Sequence, residues 1–267
     1  MTATSSISEQ TLKLCDTHSH ISFKQFDGDR DRIISQLKDG QIEFIIEVGI
    51  DLESSKRAVE LATRFNRIFA AVGIHPHESA KALPEYLDDF RDLFANDTVV
   101  AIGEIGLDYF RNLSPKELQK KAFIEQLALA QELNLPVVVH IRDAYNDAYE
   151  ILKKFGGGLR GVIHAFSGTK ADAKNFIELG FKLGIGGPLT YPKNNELREI
   201  VRKFPLEYFL PETDCPYLPP QKYRGKRNEP LYVRFIEETI AEIKGISLIH
   251  CGAVLCENAV KLFRLKI

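Results

Sequence analysis

A single α/β domain, a (β/α)8 barrel, is the fold predicted for this 267-residue chain, and three observations predict it. Short β-rich apolar runs recur along the sequence, stretches of helical period separate them, and histidines and carboxylates collect at the C-terminal ends of the runs. Strands alternating with helices build parallel βαβ units, and a closed barrel of such units typically takes ~250 residues. The rival architecture is an open doubly wound sheet in two domains. It would call for a Gly-rich phosphate fingerprint after the first strand, or a linker between halves, and the sequence has neither. The predicted organisation is a polar N-terminal tail over 1–10, then one barrel domain over 11–267.

The eight predicted strands are Leu12–Asp16, Phe44–Gly49, Ile68–Gly73, Val99–Gly103, Val137–His140, Val162–His164, Phe181–Ile185 and Tyr208–Pro211. Between them Ile33, Ile34 and Leu37, then Ala58, Leu61, Ala62 and Phe65, then Phe123, Leu127, Ala130 and Leu133 repeat at three and four residues, as one helix face does. Gly40, Asn66, Asn134 with Pro136, and Gly180 stand where helices stop. Ser114-Pro115-Lys116-Glu117 predicts a capping box with Pro at the first helical position. Asn228-Glu229-Pro230 predicts a second capped helix start.

Apolar residues make up 44% of the chain, enough for a sizeable core. The formal charge of −2 gives no global pull toward nucleic acid, so any polyanion must be held by local patches or by metal ions. The first ten residues lack a positive region followed by an apolar core, which predicts a frayed tail and no secretory signal. No stretch approaches ~18 consecutive apolar residues, so no membrane span is expected. The expected address is cytoplasmic, or nuclear in a eukaryote, and no oligomer interface is legible, so a monomer is expected. Cys15, Cys215, Cys251 and Cys256 form no Cys-x-x-Cys pair and are expected to be reduced, packed thiols.

The placement of polar residues carries the chemistry. His18 and His20 follow the first strand and point to one side of an extended segment. His75 follows strand three, Glu104 ends strand four, His140 strand five, His164 strand six, and Asp214 follows strand eight. Of the seven histidines only His250 lies far from a strand end. In a barrel those ends ring one mouth, where active sites are built. A catalytic metal usually takes three protein ligands, so this set is large for one ion and fits two. His18, His20 and Asp214 suit one, His140 and His164 the other, and Glu104 between them is the natural bridge. Imidazole and carboxylate without thiolate fit zinc, manganese or cobalt, and magnesium less readily. Two such ions, two carboxylates and a hydroxide leave roughly one net positive charge, a match for a single phosphodiester.

The motifs then reach a known family. Asp-Thr-His-Ser-His at 16–20, Gly-Ile-His-Pro-His at 73–77, Gly-Glu-Ile-Gly-Leu-Asp-Tyr at 103–109, Val-His-Ile-Arg-Asp-Ala at 139–144, Ile-His-Ala-Phe-Ser-Gly at 163–168, Glu-Thr-Asp-Cys-Pro-Tyr-Leu at 212–218 and Arg-Gly-Lys-Arg-Asn-Glu-Pro at 224–230 follow in that order. Together they resemble the TatD family of metal-dependent deoxyribonucleases, within the amidohydrolase superfamily, from strand one to the last helix. The resemblance implies a TIM barrel and DNA hydrolysis, often 3′-to-5′ exonucleolytic, on single strands or 3′ ends, with ties to DNA repair and to DNA degradation in programmed cell death. It places the metal ligands on His18, His20, Glu104, His140, His164 and Asp214, the set already reached from placement. It puts His75 near the substrate phosphate and gives Asp214 the proton of the attacking water. Two departures stand out: Cys215 where Ala is usual, and Ile185-Gly186-Gly187-Pro188 in place of a Ser-containing strand end.

Other residues have two readings each. Arg142 can hold a phosphate or pair with a carboxylate, and Asp108 can orient a histidine or touch substrate. Lys222-Tyr223-Arg224-Gly225-Lys226-Arg227 is either a solvated loop or a phosphate track with a stacking ring. Asp16 is expected in buried hydrogen bonding. The alternative function is a binuclear amidohydrolase opening a small cyclic amide or lactone. Such sites often bridge their metals with a carboxylated lysine, whereas strand four here supplies Glu104.

Overall fold

In a computed structural model, residues 11–82 and 86–267 are described; the predicted tail over 1–10 lies outside them. Eight parallel strands run in the order β1 to β8: β1 (Leu14–Ser19), β2 (Ile42–Val48), β3 (Ile68–Val72), β4 (Val99–Asp108), β5 (Val137–Arg142), β6 (Gly161–His164), β7 (Phe181–Ile185) and β8 (Phe209–Pro211). Among the described residues nine α-helices cover them: α1 (Arg30–Asp39), α2 (Leu52–Arg64), α3 (Tyr86–Phe94), α4 (Lys116–Leu133), α5 (Tyr145–Phe155), α6 (Lys170–Glu178), α7 (Asn195–Lys203), α8 (Val233–Lys244) and α9 (Leu248–Phe263). Among the described residues no single helix is long and apolar enough to cross a membrane.

Both faces of each strand are covered, which is why the runs read as nearly continuous apolar sequence. One set of side chains packs outward against the helices: Val137, Val139 and Ile141 of β5 and Ile163 of β6 meet Phe123, Leu127 and Leu152. The other set fills the barrel. Phe44, Ile46, Ala101, Val138, Val162 and Leu210 are buried there against α9, whose Cys256, Ala259, Leu262 and Phe263 close the N-terminal end. The plugged end leaves the opposite mouth as the place for chemistry.

The seam between β8 and β1 closes through side chains as much as through backbone. Asp214 N–H donates to the His18 carbonyl and His20 N–H to that of Cys215, both at 2.9 Å. Asp16 accepts from the Thr213 N–H at 2.8 Å, the Thr213 hydroxyl at 2.5 Å and the His18 N–H at 3.2 Å. Burial pushes the Asp16 carboxyl up to about 8, against the pull of those donors. The expected buried hydrogen bonding of Asp16 is therefore the clasp of the barrel. The four thiols are free and buried, Cys215 among apolar side chains.

Three predicted strand ends need correction. β1 runs on to Ser19, β4 to Asp108 and β5 to Arg142, so Glu104 and His140 lie inside their strands. β1 and β4 each carry a bulge: Asp16 to Ser19 spans three steps against two from Ile45 to Glu47, and Ile102 to Ile105 likewise against Val137 to Val139. An extra residue inverts the alternation of side chains. It turns His18 into a barrel already occupied by Cys15, and Glu104 into one already occupied by Ala101. Beyond the bulge Gly106 has φ +139, and a Cβ there would sit 2.0 Å from the His140 carbonyl oxygen. Only glycine allows that approach of β4 to β5.

The two predicted caps also differ. Ser114 makes no cap on α4; its hydroxyl donates to the His77 carbonyl and accepts from the Ala80 N–H, tying down the loop after β3. Asn228 is buried and donates its amide to the carbonyls of Thr213 and Tyr217, at 2.8 and 2.7 Å, so it pins the loop after β8.

Candidate metal centre

Glu104 is the hub of the mouth. It is 3% exposed, and its two oxygens face different partners. Oε2 lies 3.4 Å from His18 Nε2 and 3.9 Å from His20 Nε2. Oε1 lies 2.8 Å from His140 Nδ1, 3.6 Å from His75 Nε2 and 3.8 Å from His164 Nε2. Asp214 closes the other side, its Oδ1 3.5 Å from His20 Nε2, 3.9 Å from His18 Nε2 and 3.8 Å from His164 Nε2. The six residues singled out as ligands in the sequence thus converge on one volume, with His75 at its edge.

Hydrogen bonds on the outer nitrogens decide what each ring presents inward. His20 Nδ1 sits 2.7 Å from the Val48 carbonyl, which can only accept, so a neutral His20 turns a bare Nε2 to the centre. His140 gives Nε2 to Asp108 Oδ2 at 3.2 Å, leaving Nδ1 for the centre. His164 has Nδ1 3.0 Å from Glu212 Oε1, although the N–H does not aim along that line. His75 is the opposite case. Its Nδ1 accepts the His77 N–H at 3.1 Å, so the neutral ring carries its proton on Nε2 and points a donor at the centre. His75, Glu104 and His140 are close enough together to hold a cation, but this tautomer makes His75 a hydrogen-bond donor instead of a ligand.

The residues fit divalent ions. His18 Nε2 and His20 Nε2 face each other at 3.1 Å, a separation that two bare nitrogens hold only around a proton or a cation. His18, His20 and Asp214 lie within one coordination volume, as do His18, Glu104 and His164. The charges agree. Burial opposes ionisation of Glu104, yet His75, His164 and His18 outweigh it and hold the carboxyl well below its usual range. Asp214 is lowered too: burial opposes, and His164 and His20 prevail. Burial alone would lower His164, but Glu212, then Asp214 and Glu104, push it up to about 10. His20 and His140 are also raised, against burial, by their carboxylate neighbours. His75 is lowered well below its usual value, chiefly by burial. Without metal, the carboxylates recruit protons onto the rings whose lone pairs would hold a cation.

Asp108 takes the orienting reading: Oδ2 bridges His140 Nε2 and His77 Nε2, the latter at 2.8 Å, and Oδ1 accepts the Arg111 N–H. Arg142 is exposed at the end of β5 with its guanidinium 5.5 Å from the Phe110 ring centre. Two acids were missed. Glu212 is 1% exposed, accepts the Ala165 N–H at 2.6 Å and lies against His164. It shares a face with Asp214 two residues on, which is the signal that could have found it. Glu47, next to last in β2, accepts the Ile21 and Ser22 N–H groups at 2.9 and 2.8 Å and shapes the loop that carries His20.

The basic run divides. Arg227 is not available to substrate: it binds Asp29 in a two-pronged pair at 2.8 and 2.6 Å, reaches Glu229 and the Gln25 carbonyl, and lies 4.3 Å over Phe26. Tyr223 is stacked on Tyr232 at 3.9 Å, so one face of its ring is taken. Lys222, Arg224 and Lys226 remain exposed. Arg227→Ala is therefore expected to destabilise the fold by about 1–2 kcal/mol, the range for a charge-assisted pair that is partly solvated. Lys222→Ala/Arg224→Ala should leave stability unchanged and reduce the log–log salt slope of oligonucleotide binding by about 0.7 per lost contact. Denaturant titration and binding at several salt concentrations separate the two effects.

Comparison with known proteins places these features among relatives. A family model described as TatD related DNase matches residues 15–264. The chain is 41% identical over 253 residues to the uncharacterized metal-dependent hydrolase YabD of Bacillus subtilis, covering 94% of this chain and 99% of that protein. It is 34% identical over 250 residues to the 3′-5′ ssDNA/RNA exonuclease TatD of Shigella flexneri, covering 91% and 96%. Among solved structures, the TatD homologue YJJV of Escherichia coli superposes with a TM-score of 0.88 at 30% identity, covering 95% of this chain and 98% of that one.

Proposed function

The chain belongs to the TatD-related DNase family of metal-dependent hydrolases, and on that footing we propose that it is a two-metal nuclease that hydrolyses DNA phosphodiesters from the 3′ end of single strands. The observation that carries the reading is the division of Glu104, one oxygen toward His18 and His20 and the other toward His140 and His164. A carboxylate so placed would serve two ions at once. His18, His20 and Asp214 would hold the first and His140 and His164 the second, and zinc, manganese or cobalt would suit both better than magnesium. Such ions supply a lowered pKa for water and an electrophilic pull on a phosphoryl oxygen.

The chain's own residues do the rest. Asp214 is the more open of the two central carboxylates, its side chain 14% exposed against 4% for Glu104. It is ionised and takes the proton of the attacking water. His75 keeps Nε2–H toward the centre and donates it to a non-bridging phosphate oxygen. Asp108 holds the rotation of the His140 ring through its hydrogen bond, and Glu212 sets a negative charge against His164 Nδ1. The relative from Shigella flexneri is named for RNA as well as DNA, and on that likeness RNA 3′ ends belong among the proposed substrates.

Because His20, His140 and His164 are raised in the metal-free chain, metal loading at pH 7 should release about one to three protons. Affinity should fall as pH drops, since the ligands are then protonated. Titration calorimetry in buffers of different ionisation enthalpy measures the release, and none at all would contradict the ligand assignment. The activity is tested with 5′-labelled single strands, duplexes and RNA in manganese, zinc, cobalt and magnesium. A ladder shortening from the 3′ end of single strands is the expected result. Intact oligonucleotides in all four metals, with turnover of a cyclic amide or lactone, would overturn the reading in favour of amide or lactone hydrolysis.

A further inference from the structure

Resting on the nuclease reading, we propose that Phe110 and Tyr217 are the nucleobase platforms of this site, one on each side of the scissile phosphate, and that Arg142 binds the phosphate beside Phe110. The strand order places β4 and β8 four steps apart in either direction around the ring, so their loops face each other across the mouth. The loop leaving β4 carries Phe110, 64% exposed, and the loop leaving β8 carries Tyr217, 48% exposed.

Isolated exposed aromatics are ordinary on protein surfaces; their position here is not. Phe110 is two residues past Asp108, whose carboxylate holds His140. Two residues of chain span at most about 7 Å, which keeps Phe110 within roughly one nucleotide of the centre. Arg142 is two residues past His140, its guanidinium beside the Phe110 ring, and among the described residues it pairs with no carboxylate. On the far side the Tyr217 N–H donates to the Asp214 carbonyl at 2.8 Å, and its ring centre lies 6.4 Å from that of His20.

An unpaired base offers a π face to any aromatic ring, whatever its sequence, whereas bases within a duplex already cover each other. A slot between two aromatic rims therefore selects frayed or single-stranded ends and tolerates all four bases.

The test compares the full-length, manganese-loaded protein with its Phe110→Ala and Tyr217→Ala variants on two substrates. One is a single-stranded trinucleotide; the other is methyl p-nitrophenyl phosphate, a diester without a base. Each alanine variant is expected to lose about 5- to 100-fold in kcat/KM on the trinucleotide, mostly through KM, and nothing on the small diester. Phe110→Tyr and Tyr217→Phe should restore parent values, and Arg142→Gln should reduce the salt slope by about 0.7. Parent-like trinucleotide kinetics in both alanine variants would overturn the inference and leave the nuclease reading standing. Equal losses on both substrates would also overturn it, since the loops would then only shape the centre. A parent protein that cuts neither substrate, or only the small diester, would overturn the nuclease reading and this inference with it.

Discussion

Asp214→Asn is expected to fold, keep at least the metal held by Glu104, His140 and His164, and lose turnover by roughly 10²–10⁴, the range for removing a general acid–base group. Folding should survive because Asp214 sits at φ +56, a backbone region that asparagine visits more readily than almost any residue except glycine. The N–H bond to the His18 carbonyl and the carbonyl bond from the Tyr217 N–H are backbone contacts and stay. Asparagine also keeps one oxygen where Oδ1 meets His18, His20 and His164. What it cannot do is accept a proton at neutral pH. Oligonucleotide affinity should change far less than turnover, because the proposed reading gives the phosphate to the metals, His75 and the rim. Single-turnover cleavage by metal-loaded Asp214→Asn within a few-fold of the parent would remove the proton-transfer role.

Glu104→Ala should have the larger effect on the metals themselves. Five histidine nitrogens lie within 4 Å of this carboxylate, and alanine leaves them facing one another with Asp214 as the one carboxylate still turned to the centre. Loss of an outer-shell partner costs 10–100-fold in metal affinity; loss of a ligand shared by both ions should exceed about 100-fold for each. Metal analysis after gel filtration should find well under one equivalent, and activity should vanish with it. The histidines should also titrate lower, since Glu104 is among the charges that raise His20, His140 and His164. Two full equivalents in purified Glu104→Ala would exclude the shared role.

The convergence of these six side chains was legible in the sequence because each sits in or just after an apolar run, and a parallel barrel brings those ends together. Strand order placed Glu104 between the two sets, but the structure gathers His164 with His18 and Glu104, and His140 with His75 and Glu104. The bulges were hidden. An added residue in β1 or β4 has no signature in residue type, so Glu104 was expected at a strand end when it lies mid-strand. Partners distant in sequence were hidden too. Arg227 reads as one cation in a basic run until Asp29, 198 residues away, is brought against it. Glu212 and Glu47 passed as ordinary acids because their burial against β6 and the β1 loop depends on closure of the ring. Ser114 showed the converse failure: its local pattern fits a cap, but tertiary bonds to His77 and Ala80 took the hydroxyl.

The central claim is that one carboxylate divides two metal ions, and anomalous diffraction from manganese-loaded crystals tests it most directly. The account predicts two peaks separated by roughly 3.5–4 Å, one in contact with His18, His20 and Asp214, the other with His140 Nδ1 and His164 Nε2, and Glu104 touching both. A single peak coordinated by His75 Nε2, Glu104 and His140 at saturating manganese would contradict it.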